Sequence, residues 1–198
     1  MTLLIDLEPA TRRMATLISG VPLEGLDGPT PCPAYTVGDL VDHVGGLALA
    51  FTAAATKEIG DAGSSAPAPD ASRLGDDWRD RIPLALSGLA EAWRQPAAWT
   101  GMTQAGGVDL PGDIAGLVAL DELVLHGWDV AQATGQAYDC EPAILEAVYQ
   151  FVAPFAAPGQ EAQREGLFGP VIEVPETAPL LDRVIGLSGR DPAWVPEP

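Results

Sequence analysis

The sequence predicts an all-α protein with one short β-hairpin and an irregular C-terminal segment. Apolar residues recur at three- and four-residue intervals in several separate stretches, Gly and Pro cluster between them, and a single segment carries hairpin-turn chemistry. With 198 residues, 47% of them hydrophobic, the chain can bury one substantial core, so one domain over residues 1–198 is expected.

The first helix is expected over Leu4–Ser19, where Leu4, Leu7, Met14, Leu17 and Ile18 form a stripe; Gly20, Pro22 and the run Gly28-Pro-Thr-Pro-Cys-Pro33 break it. The second starts at Thr36, whose hydroxyl caps the first turn while Asp39 answers three residues on, and runs to about Glu58. Val37, Leu40, Val44, Leu47 and Phe51 make its core stripe, and His43 falls roughly 60° off that stripe, at the margin of a helix interface. Gly60 to Leu74 reads as a mobile loop by composition. A third helix follows over Asp76–Arg94, interrupted or kinked near Pro83, with Trp78, Leu86, Leu89 and Trp93 as core candidates.

Between Ala98 and Leu110 a hairpin is expected to turn at Gly106-Gly107. The fourth helix, Asp113–Thr134 with Gly135 as its stop, is apolar on nearly every side, which marks it as buried nearly all round. A fifth, Pro142–Phe155, contributes Ile144, Leu145, Val148 and Phe151. Gly159 to Pro179 reads as irregular, ahead of a short helix Leu180–Leu187 and a Pro-rich tail.

The chemistry concentrates on the fourth helix. Glu122 and His126 stand one turn apart on one face, and Asp129 lies within roughly 60° of them. A carboxylate in so apolar a helix costs several kcal/mol unless it is paired or binds a cation. The chain has two histidines, His43 and His126, both on helices expected to be buried. His43 from a facing helix would complete a three-ligand, open site of the Zn²⁺ type. The competing reading is an ordinary buried pair, Glu122 with His126 or with an arginine. Asp129 either orients a ligand imidazole, or pairs with an arginine or a backbone amide and has no role in the site. Trp78 and Trp128 read as core or pocket wall. Cys32 and Cys140 read as structural thiols, and the spacing of Cys32 matches no zinc template.

A formal net charge of −18 argues against nucleic acid and against an anionic membrane surface, since both require clustered Lys and Arg. The N-terminal residues lack a basic stretch and a small-residue cleavage site, so no signal peptide and a cytoplasmic location are expected. Nine arginines against the single Lys57, with abundant Ala, Gly and Pro, suggest a GC-rich coding sequence.

Four segments resemble an actinobacterial family of DinB-like metal-binding proteins related to the N-terminal domain of mycothiol-dependent maleylpyruvate isomerase. They are Pro31-Cys-Pro-Ala-Tyr-Thr-Val-Gly-Asp-Leu-Val-Asp-His43, Gly107-Val-Asp-Leu-Pro-Gly112, Ala119-Leu-Asp-Glu-Leu-Val-Leu-His-Gly-Trp-Asp129, and Ala178-Pro-Leu-Leu-Asp-Arg183 with Gly189-Arg-Asp-Pro-Ala-Trp194. The resemblance spans nearly the whole chain. It implies a DinB-like four-helix bundle holding a divalent metal, zinc first and nickel second, on His43, Glu122 and His126. The isomerase carries an additional C-terminal domain that this sequence is not expected to contain, so its specific reaction is not carried over.

Together these observations lead to an expected metalloprotein that activates a low-molecular-weight thiol such as mycothiol for transfer to, or isomerisation of, a small electrophile. A metal-dependent hydrolase, a non-catalytic metal- or ligand-binding module and a metal-free scaffold are the alternatives. The expected partners are a small-molecule substrate and a thiol, with no nucleic acid and no membrane. A homodimer is compatible with a small bundle, although no exposed stripe demands one.

Overall fold

The computed structural model describes residues 4–58 and 68–196. Among them the chain forms α1 (Glu8–Ser19), α2 (Val37–Thr56), α3 (Trp78–Trp93), β1 (Met102–Ala105), β2 (Val108–Pro111), α4 (Gly112–Thr134), α5 (Pro142–Val152), α6 (Glu161–Arg164) and α7 (Leu180–Leu187), with short 3-10 turns between several of them. The four long helices make a bundle. α1 and α2 each pack against both α3 and α4, so α1 lies diagonally opposite α2, and α3 opposite α4. The connections over residues 20–36 and 94–111 therefore cross the bundle.

Local chemistry explains most boundaries. Thr36 caps α2 with a reciprocal capping box: its Oγ1 accepts from the Asp39 amide at 3.2 Å, and the Asp39 carboxylate accepts from the Thr36 amide at 3.0 Å. α2 stops at Thr56, two residues before the expected end, because Lys57 takes a left-handed conformation with φ 62°. α4 ends as expected at Gly135, φ 66°, where glycine meets no Cβ penalty. The antiparallel hairpin pairs Met102 with Pro111 and Ala105 with Val108, turning at Gly106 and Gly107, both at positive φ.

Three expectations need correction. α1 begins at Glu8 rather than Leu4: Asp6 accepts from the Glu8 amide at 2.9 Å and Pro9 occupies the first turn, where its missing N–H costs nothing. Pro83 does not interrupt α3: it lies inside one continuous helix, where its missing N–H cannot bond the carbonyl of Arg79 one turn before. Of the loop read over residues 60–74, residues 60–67 lie outside the described residues. Its remainder is packed: Leu74 is buried, the Ala71 amide donates to Asp39 at 2.9 Å, and Ala71–Arg73 is a 3-10 turn.

The core is one apolar cluster shared by all four long helices, including Met14, Leu40, Val44, Ile82, Trp93, Leu120 and Val124. The hairpin bears on α2 and α4, and the Thr103 hydroxyl donates to the Ala54 carbonyl at 2.6 Å. α5 packs against both α4 and α7, which brings the C-terminal region against the long central helix. The segment 159–179, irregular apart from α6, is pinned. The Arg164 guanidinium donates to the carbonyls of Gly169 and Leu187, and the Phe155 ring lies 5.5 Å from Phe168. α2 alone has the length and apolar composition of a membrane span, with a mean hydropathy of 1.2, among the described helices. Half of that stretch is buried inside the bundle, as a core helix requires.

Candidate metal centre

Two neighbouring helices build the centre. The capping box sets the start of α2, and His43 follows at its second turn on the side facing α4. Its position beside the apolar stripe leaves the imidazole half-buried. On α4, Glu122 and His126 stand one turn apart on one face.

Three donor atoms converge. His126 Nε2 lies 3.0 Å from Glu122 Oε2, and His43 Nε2 lies 3.6 Å from the same oxygen. All three ligand atoms fall within 4.8 Å of one another. Donors held about 2.1 Å from a tetrahedral zinc ion sit about 3.4 Å apart, so the cluster has nearly the spacing a single ion requires. The two imidazole rings meet edge to face, 4.9 Å between centroids, and Tyr35 flanks His43 at 5.5 Å. Among the described residues, this is the group of His, Cys, Asp and Glu side chains arranged to hold a metal.

Behind the donors runs a chain of alternating charge. His126 Nδ1 bonds Asp129 Oδ2 at 2.9 Å, and both oxygens of the fully buried Asp129 accept from Arg190, each at 2.8 Å. Asp129 thus contacts an imidazole and an arginine at once, the two kinds of partner the sequence offered as alternatives. The bond at Nδ1 leaves Nε2 as the nitrogen facing Glu122 and His43.

Electrostatics follow from this chain. Burial opposes the charge on Glu122, but hydrogen bonds from His126 and His43 outweigh it and hold the carboxyl far below the usual carboxylate range. Burial likewise opposes a charged His126, yet its bonds to Asp129 and Glu122 push it up to about 9. For Asp129, too, burial favours the neutral acid, and the Arg190 and His126 charges overcome it.

Sequence reasoning did not single out two neighbours, Arg190 and Asp121, and read a third, Cys32, as a structural thiol. Arg190 is contributed from beyond α7, 61 residues from Asp129; its signal was the Gly189-Arg-Asp-Pro segment, quoted for the resemblance without a role for the arginine. Asp121 is buried with Oδ1 lacking any hydrogen-bond partner, and burial, reinforced by the charge of Glu122, raises its carboxyl well above the usual range. Nothing in the periodicity separates it from its neighbour. Cys32, half-buried and unbridged, lies near enough that Asp129 and Glu122 add to the upward push of burial on its thiol while Arg190 opposes it. Its sulfur is outside the converging donor set.

On one side the centre borders a cavity of about 720 Å³ whose lining includes both His43 and Glu122. Glu122 keeps 30% of its side chain exposed, whereas His126 keeps 9%. A group entering the cavity therefore meets His43 and Glu122 first.

Comparison with known proteins supplies the context for this geometry. The family model described as the mycothiol maleylpyruvate isomerase N-terminal domain matches residues 7–131, a span that contains His43, Glu122, His126 and Asp129. Uncharacterised proteins from two strains of Mycobacterium tuberculosis are each 26% identical over 181 residues, covering 89% of this chain and 91% of the relative. No solved structure matches the chain. Three of the four segments that carry the resemblance, 31–43, 107–112 and 119–129, lie within that span, and the chain belongs to the family of the mycothiol maleylpyruvate isomerase N-terminal domain.

Proposed function

We propose that this protein is a metal-dependent enzyme that holds a divalent cation, zinc in the first place, on His43, Glu122 and His126, and activates a low-molecular-weight thiol such as mycothiol toward a small electrophile. The observation that carries the reading is the convergence of three donors from two helices, one imidazole fixed at its far nitrogen, beside a cavity large enough for a small molecule. A bound divalent cation would supply Lewis acidity, lowering the pKa of a thiol that reaches its open position.

This chain's own residues do the rest. Asp129 holds the His126 ring in one orientation through Nδ1, so Nε2 is aimed before any cation arrives. Arg190 locks Asp129 from the other side with two bonds, so the orienting carboxylate cannot turn away. Glu122 contributes the negative charge that two neutral imidazoles lack. Its exposed side, with His43, forms the edge at which thiol and electrophile meet.

One observation favours a second reading. Glu122 is already within reach of both imidazoles, so the cluster is also a closed set of ion pairs that a metal-free scaffold would retain. Metal content by mass spectrometry separates the two, on untagged protein purified without chelator, with His43→Ala and Glu122→Ala alongside. Near-stoichiometric zinc or nickel, lost in both variants, is the expected result. Absence of metal from the wild type even after reconstitution would leave the scaffold reading standing. Thiol-dependent turnover of an electrophile then distinguishes the proposed chemistry from hydrolysis and from simple metal storage.

A further inference from the structure

The cavity beside the centre has a chemical character of its own. Its walls are Leu47 and Phe51 from α2, Ile82 from α3, Leu110 from β2 and Val118 from α4. At its mouth stand three of the chain's exposed large apolar residues: Leu49 at 53% exposure, Val108 at 63% and Leu167 at 63%. Side chains of this kind are costly to leave facing water in a cluster, and gathered around one opening they mark a binding site.

Charges do line the cavity, but they are matched. Arg73 donates to the Asp42 carboxylate at 2.5 Å and to the Ala68 carbonyl at 2.6 Å. Arg81 pairs with Asp77 at 3.4 Å and donates to the Leu74 carbonyl at 2.9 Å. Among the described residues, each guanidinium lining the cavity thus already has a carboxylate of its own. A ligand carboxylate lying along these walls would give up its hydration without gaining a free cation, and the chain's net charge of −18 adds to the cost. On the α2 side, Gly45 and Gly46 widen the space, and a Cβ built at Gly46 meets nothing within 4 Å.

We propose that this cavity binds an uncharged, predominantly hydrocarbon small molecule whose reactive end lies against His43 and Glu122; the assignment of a reactive end rests on the metal-centre reading above. The class of substrate is then a neutral apolar electrophile, and small dicarboxylates are excluded from the walls. The mouth residues admit the molecule from solvent, and the paired arginines and acids tie the surrounding segments together without contributing a net charge.

The test is a fluorescence titration with the neutral dye N-phenyl-1-naphthylamine on full-length protein, followed by displacement with methyl 2-naphthoate and with 2-naphthoate. Gly46→Phe places a ring into the cavity at a position with free space, and Gly88→Phe, on α3, makes the same change where a Cβ also meets nothing within 4 Å and the cavity is not lined. Saturable binding is expected, weakened at least about tenfold by Gly46→Phe and unchanged by Gly88→Phe, with the ester displacing the dye at least about tenfold more strongly than the carboxylate. No saturable binding, equal binding by both variants, or equal displacement by the carboxylate in metal-free protein would overturn the proposal. Zinc content measured on the same preparation keeps the two readings apart. Dye binding without metal supports the cavity and overturns the metal centre, whereas metal without dye binding does the reverse.

Discussion

Replacing Arg190 tests how far the C-terminal region supports the centre. Arg190→Met keeps the aliphatic stem and removes the guanidinium. Asp129, fully buried, then loses the bonds received by both its oxygens at 2.8 Å and keeps one partner, His126 Nδ1 at 2.9 Å. Removing one member of a buried pair leaves an uncompensated charge and costs about 3–5 kcal/mol; the surviving histidine places the expectation near about 3 kcal/mol. That is a large part of a typical stability of about 5–15 kcal/mol, and for a chain of this length it lowers the melting temperature by roughly 6–12 °C. The carboxylate that orients His126 is then itself no longer held by Arg190, so zinc affinity is expected to fall by about tenfold, the low end of the effect of losing an orienting partner. The assay is urea unfolding beside a chelator-competition titration, with Asp129→Asn/Arg190→Met as the companion variant. Without the orphaned charge, the double variant is expected to recover part of the stability lost by Arg190→Met alone. A loss below about 1 kcal/mol in the single variant, or no recovery in the double, would refute the argument that Arg190 neutralises a buried charge.

Three further outcomes follow from named residues. His126 in metal-free protein titrates at about 9 against an ordinary 6.5, so the stability from its charged form is fully present below about pH 6.5 and is lost as pH rises through about 9. Zinc must displace that proton, and its affinity is expected to rise about tenfold per pH unit between pH 7 and 9; a flat profile in competition titrations would contradict the network. Burial, reinforced by Glu122, holds the Asp121 carboxyl well above its ordinary range while the unfolded chain ionises near about pH 4, so folding loses stability as pH rises above that range. Asp121→Asn should therefore raise the melting temperature at pH 7 by an amount equivalent to about 1–3 kcal/mol and leave it nearly unchanged at pH 3, and melts at the two pH values decide it. Gly116→Ala puts a Cβ 2.6 Å from the Trp99 ring and 2.8 Å from Trp93, both buried, and should destabilise by about 1–3 kcal/mol in urea unfolding while zinc stoichiometry stays the same.

The helices, their caps and the candidate donors were legible in the chain because each rests on short-range chemistry. The period of α2, the reciprocal bonds of Thr36 and Asp39, the left-handed stop at Gly135 and the turn at Gly106-Gly107 involve residues within a few positions of one another. Glu122 and His126 belong to the same class, since one helical turn puts them on one face wherever the helix goes. What the local pattern left open were the boundaries set by competing contacts, such as Asp6 and Pro9 at the start of α1, and the burial of the segment after residue 68, which depends on Asp39 and Asp42 of α2.

The tertiary structure decided everything that joins distant residues. It placed His43 against α4 by setting α1 opposite α2 and α3 opposite α4, brought Arg190 across 61 positions to Asp129, and gave the centre a cavity walled by three helices and both strands of the hairpin. It also gave Asp129 two partners at once, because a carboxylate has two oxygens and here they serve an imidazole and a guanidinium together. The amino-acid sequence alone determined which side chains carry donors and which faces they occupy, through bonds and periodicities a few residues long. Which of those donors meet, which charge is cancelled and what reaches them were decided by packing, since burial fixes the energy of a charged group through whatever the fold brings beside it.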